Sequence, residues 1–243
     1  RFRTRDSVSL PVVDENGGMI GVIRADDMVH LAQESTTRTY QKMAAVEAME
    51  KPYIQTTYWE SFKQRGVWLL VLFIGEMFTA TAMGYYEEEI SHAVVLALFL
   101  PLILSSGGNS GSQSSTLVIR ALALKEFELH EWPKIFKREL IVGFMLAMLL
   151  GVFAVARILL WDVLGWADYT EKGQFDIYSI TLAVTIGIMG IVTWGNLVGS
   201  LLPIGLRYLK LDPATISAPF LATFVDVTGL IIYFTAAKII LGL

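Results

Sequence analysis

The chain has 243 residues, 54% of them hydrophobic and 17% charged, with a formal net charge of -4 and a mean hydropathy of +0.54. Soluble domains carry roughly a quarter charged residues, so a wholly soluble fold is excluded, and the small negative charge argues against a nucleic-acid partner. The lack of cysteine rules out disulfides, thiol catalysis and Cys-ligated metals, and His30, His92 and His130 share no ligand spacing, which speaks against zinc and haem chemistry.

The first residue is Arg1, and no apolar signal-peptide core follows it, so the sequence reads as the C-terminal part of a longer protein. Val8 to Val13 and Met19 to Ile23 are short apolar runs separated by the turn cluster Asp14-Glu15-Asn16-Gly17-Gly18, the pattern of two strands. A polar helix is predicted from Ala25 through Ala48, with Met28, Leu31, Met43 and Val46 at helical spacing. Two strands and one helix cannot bury a core alone, so residues 1–34 read as part of an α/β module. Residues 35–62 read as a connecting helix, and 63–243 as a membrane domain.

A bilayer core needs about 20 predominantly apolar helical residues. Five stretches qualify, at 66–86, 90–122, 140–164, 177–208 and 213–242, which predicts an all-α integral membrane body. Lys63 and Arg65 precede the first span, Arg120, Lys125, Lys134, Lys137 and Arg138 lie between the second and third, and Arg207 and Lys210 lie between the fourth and fifth. The other two loops are acidic, with Glu87, Glu88 and Glu89 in one and Asp162, Asp168, Glu171 and Asp176 against Lys172 in the other. Positive loops stay inside, so the N-terminus is expected in the cytoplasm and the C-terminus outside. Glu126 to Glu139 reads as an amphipathic helix on the cytoplasmic surface, and Trp161 and Trp166 suit the outer interface.

Ionisable side chains at bilayer depth cost about 2.5–3.5 kcal/mol each, so Glu76, Arg157, Asp226 and Lys238 each need a reason. Arg157 and Lys238 lie near span ends, where long side chains snorkel. Asp226 cannot snorkel, and no sequence-local cation neutralises it. It reads as an acid lining a cation path, with a protonated Asp hydrogen-bonded between helices as the alternative. Glu76 either shares that role, caps Thr79 and Thr81, or sits protonated.

Pro101 to Thr116 reads PLILSSGGNSGSQSST, an apolar span interrupted by proline and by small and polar residues. Gly107 and Gly111 form a GxxxG packing motif, but Gly108, Asn109 and Gln113 with the serines suggest a wet lining. Gly195 to Gly199 is a second GxxxG, next to Asn196, and reads as packing. Asp212-Pro213 reads as the start of the last helix. Ala218, Ala222 and Asp226 recur every four residues and form one stripe, and Pro219 frees a backbone carbonyl. One carboxylate with carbonyls and retained water suits a hard cation, Mg2+ above all.

PLILSSGGNSGSQSSTLVIRALAL (101–124), GNLVGSLLPIGLRYLKLDPA (195–214) and LATFVDVTG (221–229) resemble the MgtE family of Mg2+ transporters and channels, and the resemblance covers the whole membrane body. The front of the chain looks like the tail of a CBS domain followed by the family's connecting, or plug, helix. The resemblance implies a multi-pass protein of the cell membrane, in which a homodimer encloses one pore lined by the second and fifth spans. A hydrated Mg2+ would meet Asp226 and the carbonyls of Ala218 and Ala222, with Gly108, Asn109, Gln113, Pro219 and Thr223 along the pore. It also implies regulatory Mg2+ binding by cytosolic acids, here Asp26, Asp27 and Glu34. Gly21 and Asp27 are what remains of a CBS nucleotide motif that carries Arg24 in place of Thr, so an adenine nucleotide is expected only with a complete CBS pair upstream. Alternatives are a cation exchanger or a Mn2+/Co2+ carrier of the same architecture, or a membrane scaffold. An enzyme is not expected, because no nucleophile–base pair lies at membrane depth.

Overall fold

The computed structural model describes residues 8–47, 52–170 and 175–243. Residues 1–7 of the expected α/β module, 48–51 of the connecting segment, and Glu171 and Lys172 of the acidic loop lie outside the described residues.

Strands β1 (Ser9–Val13) and β2 (Met19–Arg24) pair antiparallel, from Ser9 opposite Arg24 to Val12 opposite Gly21. The Asp14 carboxylate shapes the turn by accepting from the amides of Asn16 at 3.0 Å and Gly18 at 2.6 Å, while Gly17 takes φ +83, a conformation glycine adopts without strain. Helix α1 (Ala25–Met43) leaves β2 directly and contains no buried residue, as expected of a module that cannot close a core. It stops at Met43, short of the predicted Ala48, and Ala45 takes φ 56. Residues 35–62 are therefore not one helix. They comprise the end of α1, a 3-10 turn at Tyr53–Gln55 and the first turn of α2 (Tyr58–Tyr85).

Among the described residues, five helices are long and apolar enough to cross a membrane. The first, α2, starts before the predicted residue 66 because a capping box sets its origin. Thr57 Oγ1 accepts from the Glu60 amide at 3.3 Å, and Glu60 Oε2 accepts from the Thr57 amide at 2.9 Å, satisfying two amides that a helix start leaves open. A short α3 (Glu87–His92) precedes α4 (Val94–Ala123), which runs unbroken through Pro101, so the expected interruption is one of composition only. The predicted surface helix over 126–139 is also absent. A 3-10 turn at Leu129–Glu131 leads into one continuous α5 (Trp132–Val163), with proline in its first turn, where no amide bond is lost. Helix α6 (Ile177–Tyr208) matches the predicted span. Asp212 caps only a 3-10 turn at Pro213–Thr215, and α7 (Ala218–Leu241) starts afresh from the Ser217 cap.

Helix α6 lies at the centre, against α4, α5 and α7, while α4 also packs on α7 and α2 packs chiefly on α7. Both GxxxG motifs meet at the α4–α6 crossing. A Cβ on Gly111 would lie 2.9 Å from the Gly195 carbonyl oxygen, and Cβ atoms on Gly195 and Gly199 would run into the carbonyls of Gly107 and Gly111. Small residues let these backbones touch, which is the main source of helix association where lipid removes the hydrophobic incentive. Nearby, the fully buried Tyr233 of α7 donates to the Leu96 carbonyl at 3.1 Å. The outward rows, such as Phe73 and Phe78 of α2 and Phe144, Met145 and Phe153 of α5, are exposed and apolar, as a lipid-facing surface requires.

Gly195→Val should lower stability by at least about 1–3 kcal/mol, the usual cost of overpacking, read as thermal unfolding in detergent. Gly84→Ala, with open space around it, should stay within about 0.5 kcal/mol.

Candidate cation site

The local start of α7 sets the phase of its polar stripe. Ser217 Oγ accepts from the Phe220 amide at 3.3 Å, and Pro219 sits in the first turn, where its missing N–H is not needed. Its predicted role of freeing a carbonyl does not arise, because residue 215 belongs to the preceding 3-10 turn. Ala218, Ala222 and Asp226 then follow one another up the half-exposed flank of α7. The Ala218 carbonyl is engaged by Ser112 Oγ of α4 at 3.5 Å.

Asp226 lies against α4 where α4 has no side chain. A Cβ on Gly108 would be 3.2 Å from the Ala222 Cβ and 3.9 Å from Asp226 Oδ1. Gly108 is thus buried beneath the stripe and forms a notch for the carboxylate. Among the described residues, Asp226 has neither a hydrogen bond nor an ion pair, so the alternative of an Asp bonded between helices finds no partner here. Around the notch, Asn109 and Gln113 of α4 are exposed on the open face and Pro219 is exposed on α7. Asn109 Nδ2 makes only a 3.4 Å contact to Ser105 Oγ.

The third helix at the site is α2. Gly75 permits its approach, since a Cβ there would be 2.8 Å from Thr223 Cγ2, and Thr223 Oγ1 donates to Glu76 Oε1 at 2.8 Å. Glu76 therefore caps neither Thr79 nor Thr81. Thr81 donates to the Met77 carbonyl at 2.9 Å instead, and Glu76 lies within electrostatic reach of Asp226. The pairing of residues 76 and 223 has no local signature, which is why the sequence left Glu76 open.

The serine-rich stretch of α4 divides between two faces. Ser105, Asn109, Gln113 and Thr116 are exposed, whereas Ser110, Ser114 and Ser115 are buried against the bundle. Ser114 Oγ donates to Glu139 Oε2 at 3.0 Å, Asn196 Nδ2 donates to the same oxygen at 2.9 Å and to the Glu139 carbonyl at 2.8 Å, and Ser110 Oγ reaches the Val192 carbonyl at 3.3 Å. Half the expected wet lining is thus a dry clamp joining α4, α5 and α6. Glu139, read as a surface charge, is its centre. The signal in the sequence was the pair of buried-span polar groups, Ser114 and Asn196, each requiring a partner.

The expected regulatory acids do not gather. Asp26 pairs with Arg24 at 3.2 Å, Asp27 Oδ2 accepts from the Arg24 amide at 3.0 Å, and Glu34 pairs with Arg38 at 2.7 Å. Gly21 stands apart in β2 with open space around it. No group of three His, Cys, Asp or Glu residues that could hold a metal ion occurs among the described residues. The acid that does link α1 to the bundle is Asp212, which pairs with Lys42 of α1 at 2.5 Å. Burial pushes the Asp212 carboxyl up, but the Lys42 hydrogen bond, the Ala214 amide and the Lys42 and Arg207 charges together hold it below the usual carboxylate range. Lys238, expected to snorkel, pairs with Glu89 at 2.5 Å and ties α3 to the end of α7.

Apolar helices around an unpaired acid define a multi-pass membrane protein with a polar helix seam. Residues 100–236 match the model of the MgtE family, described as divalent cation transporters. The chain is 34% identical over 97% of its length to the magnesium transporter MgtE of Thermus thermophilus, covering 49% of that protein. It is 27% identical over 98% of its length to the MgtE of Enterococcus faecalis and 28% over 96% to that of Bacillus subtilis, covering 49% and 48% of those proteins. It spans about half the length of the curated relatives it matches. The chain belongs to the MgtE family.

Glu139→Ala, which orphans Ser114 and one Asn196 bond, should destabilise by about 1–3 kcal/mol per group left unsatisfied, and adding Asn196→Ala should cost less than the sum of the single losses. The lowered pKa of Asp212 stabilises α1 docking at pH above its unfolded value of about 3.9. That contribution is lost as pH falls through the lower folded value. Limited proteolysis within α1 should therefore accelerate at acid pH in wild type, and at neutral pH in Lys42→Ala.

Proposed function

We propose that the chain mediates Mg2+ flux across the membrane through a pore formed by two copies, with Asp226 of each as the intramembrane cation site. The observation that carries this is the Asp226 carboxylate, held at mid-span in the Gly108 notch with no cation or donor among the described residues. A carboxylate that stays charged there needs water or a mobile cation to offset its desolvation cost. Among the described residues no group of three His, Cys, Asp or Glu could hold a resident metal, and a two-fold axis would set a second Asp226 across the path. Mg2+ keeps several waters, so two carboxylates and the open Asn109 and Gln113 face suit a largely hydrated ion. Glu76 adds a negative charge beside the path, and Thr223 links it to α7.

The relatives named magnesium transporter support Mg2+ as the cargo. The Lys and Arg distribution supports a cytosolic N-terminus, and the β-hairpin leading into α1 supports the tail of a CBS module followed by a connecting helix. The Lys42–Asp212 pair, which joins α1 to the α6–α7 connection, is consistent with that helix meeting the bundle at the same end as Arg207 and Lys210.

In proteoliposomes loaded with a Mg2+ indicator, wild type should admit Mg2+, and Asp226→Ala should reduce the initial rate by about tenfold or more, equivalent to at least about 1.4 kcal/mol of lost cation stabilisation. Glu76→Gln should reduce it less. Undiminished flux in Asp226→Ala would remove the site from the pathway.

A further inference from the structure

We propose that Arg157 and the apolar groove beside it form a binding site for an anionic phospholipid, with the guanidinium on the lipid phosphate and an acyl chain in the groove.

The groove has a volume of about 440 Å³ and is walled by Leu102 of α4, Leu150, Phe153 and Leu160 of α5, and Ile188 of α6, with Arg157 at its edge. Its lining is almost wholly hydrocarbon, so water gains nothing there, whereas a lipid tail does. Among the described residues, Arg157 is the membrane-depth cation without a carboxylate partner. Lys238 has Glu89, and Glu76 has Thr223. Arg157 is exposed, and among the described residues no carboxylate pairs with it. Its guanidinium lies 5.0 Å from the Trp161 ring and 5.9 Å from the Phe99 ring. Among the described residues, the phenol of the buried Tyr169 is its one hydrogen-bond partner, at 3.4 Å.

These contacts aim the cation but do not neutralise it. Aromatic faces orient a guanidinium, yet four of its five N–H donors remain for an anion. A free snorkelling side chain would not be held between two rings and a buried phenol. Arg157 lies six residues before the end of α5 at Val163, about 9 Å along the axis at about 1.5 Å per residue. The adjoining Trp161 and Trp166, in edge contact at 5.3 Å, belong to the interfacial aromatic belt. The anion available at that depth is a lipid phosphate, and a guanidinium engages phosphate through two parallel bonds. A phosphate above and a hydrocarbon slot below are the two halves of one phospholipid. Headgroups without a cation of their own are preferred, because nothing then competes for the phosphate.

The test is native mass spectrometry of the full chain, delipidated in detergent and titrated with phosphatidylglycerol or phosphatidylcholine. Wild type should retain phosphatidylglycerol about tenfold more tightly than phosphatidylcholine. Arg157→Gln should abolish that preference, and Arg157→Lys should restore only part of it, because an ammonium lacks the fork. Ala156→Trp fills the exposed side of the groove while leaving Arg157 in place, and should weaken both lipids. It also keeps the proposal testable if Arg157→Gln does not fold. Equal binding of the two lipids by wild type, or unchanged phosphatidylglycerol binding by Arg157→Gln, would overturn the site. Competition by inorganic phosphate alone would replace the lipid with a free anion. A change in subunit number without a change in lipid count would make the groove a contact between copies.

Discussion

The constraint on which this structure turns is the cost of holding a carboxylate at bilayer depth. Asp226 sits on a helix whose other faces are packed or apolar, and among the described residues it has no cation and no hydrogen-bond donor. What it does provide is space: Gly108 leaves a notch in α4, Ala218 and Ala222 keep the flank of α7 low, and Gly75 brings α2 close enough to set Glu76 beside it. The arrangement leaves that carboxylate without a neutralising partner among the described residues, as the proposed cation path requires. The same accounting explains the other ionisable side chains. Glu139 is clamped by Ser114 and Asn196, Lys238 by Glu89, and Asp212 by Lys42. Each of these has a partner within the chain, whereas Asp226 has neither a hydrogen bond nor an ion pair among the described residues.

The notch exists only because α4 is held in one rotational setting. Its glycines at 107 and 111 are pressed against those at 195 and 199 of α6, and the Glu139 clamp adds directional bonds to the same side of the helix. With that side spent on packing, Asn109 and Gln113 turn to the open face and Gly108 turns to α7. Packing and function are therefore two faces of the same polar stretch, separated by the helical phase. The close glycine crossing is what keeps the functional face in register with Asp226.

Much of this was legible in the sequence. The five spans followed from apolar length, the Ala218–Ala222–Asp226 stripe from a four-residue spacing, and both GxxxG motifs from their small residues. What was not legible depended on reach between elements far apart in the chain. The hydroxyls of Ser110 and Ser114 cannot be distinguished from the polar groups of Asn109 and Gln113 without knowing which side α6 occupies. Glu139 reads as a surface charge until Asn196, far along the chain, is brought over it. Span boundaries moved for local reasons: the Thr57–Glu60 capping box pulled α2 back to Tyr58, and Asp212 was taken up by a 3-10 turn, so that Ser217 became the cap of α7.

The central claim is that the face of α4 beside Asp226 is wet and that a cation occupies it. Because the chain contains no cysteine, a single Asn109→Cys can be probed in membranes with a water-soluble, positively charged thiol reagent. The account predicts labelling that Mg2+ slows, and loss of that protection when Asp226→Ala is added. A thiol that stays unreactive, or that reacts equally fast with and without Mg2+, would contradict it.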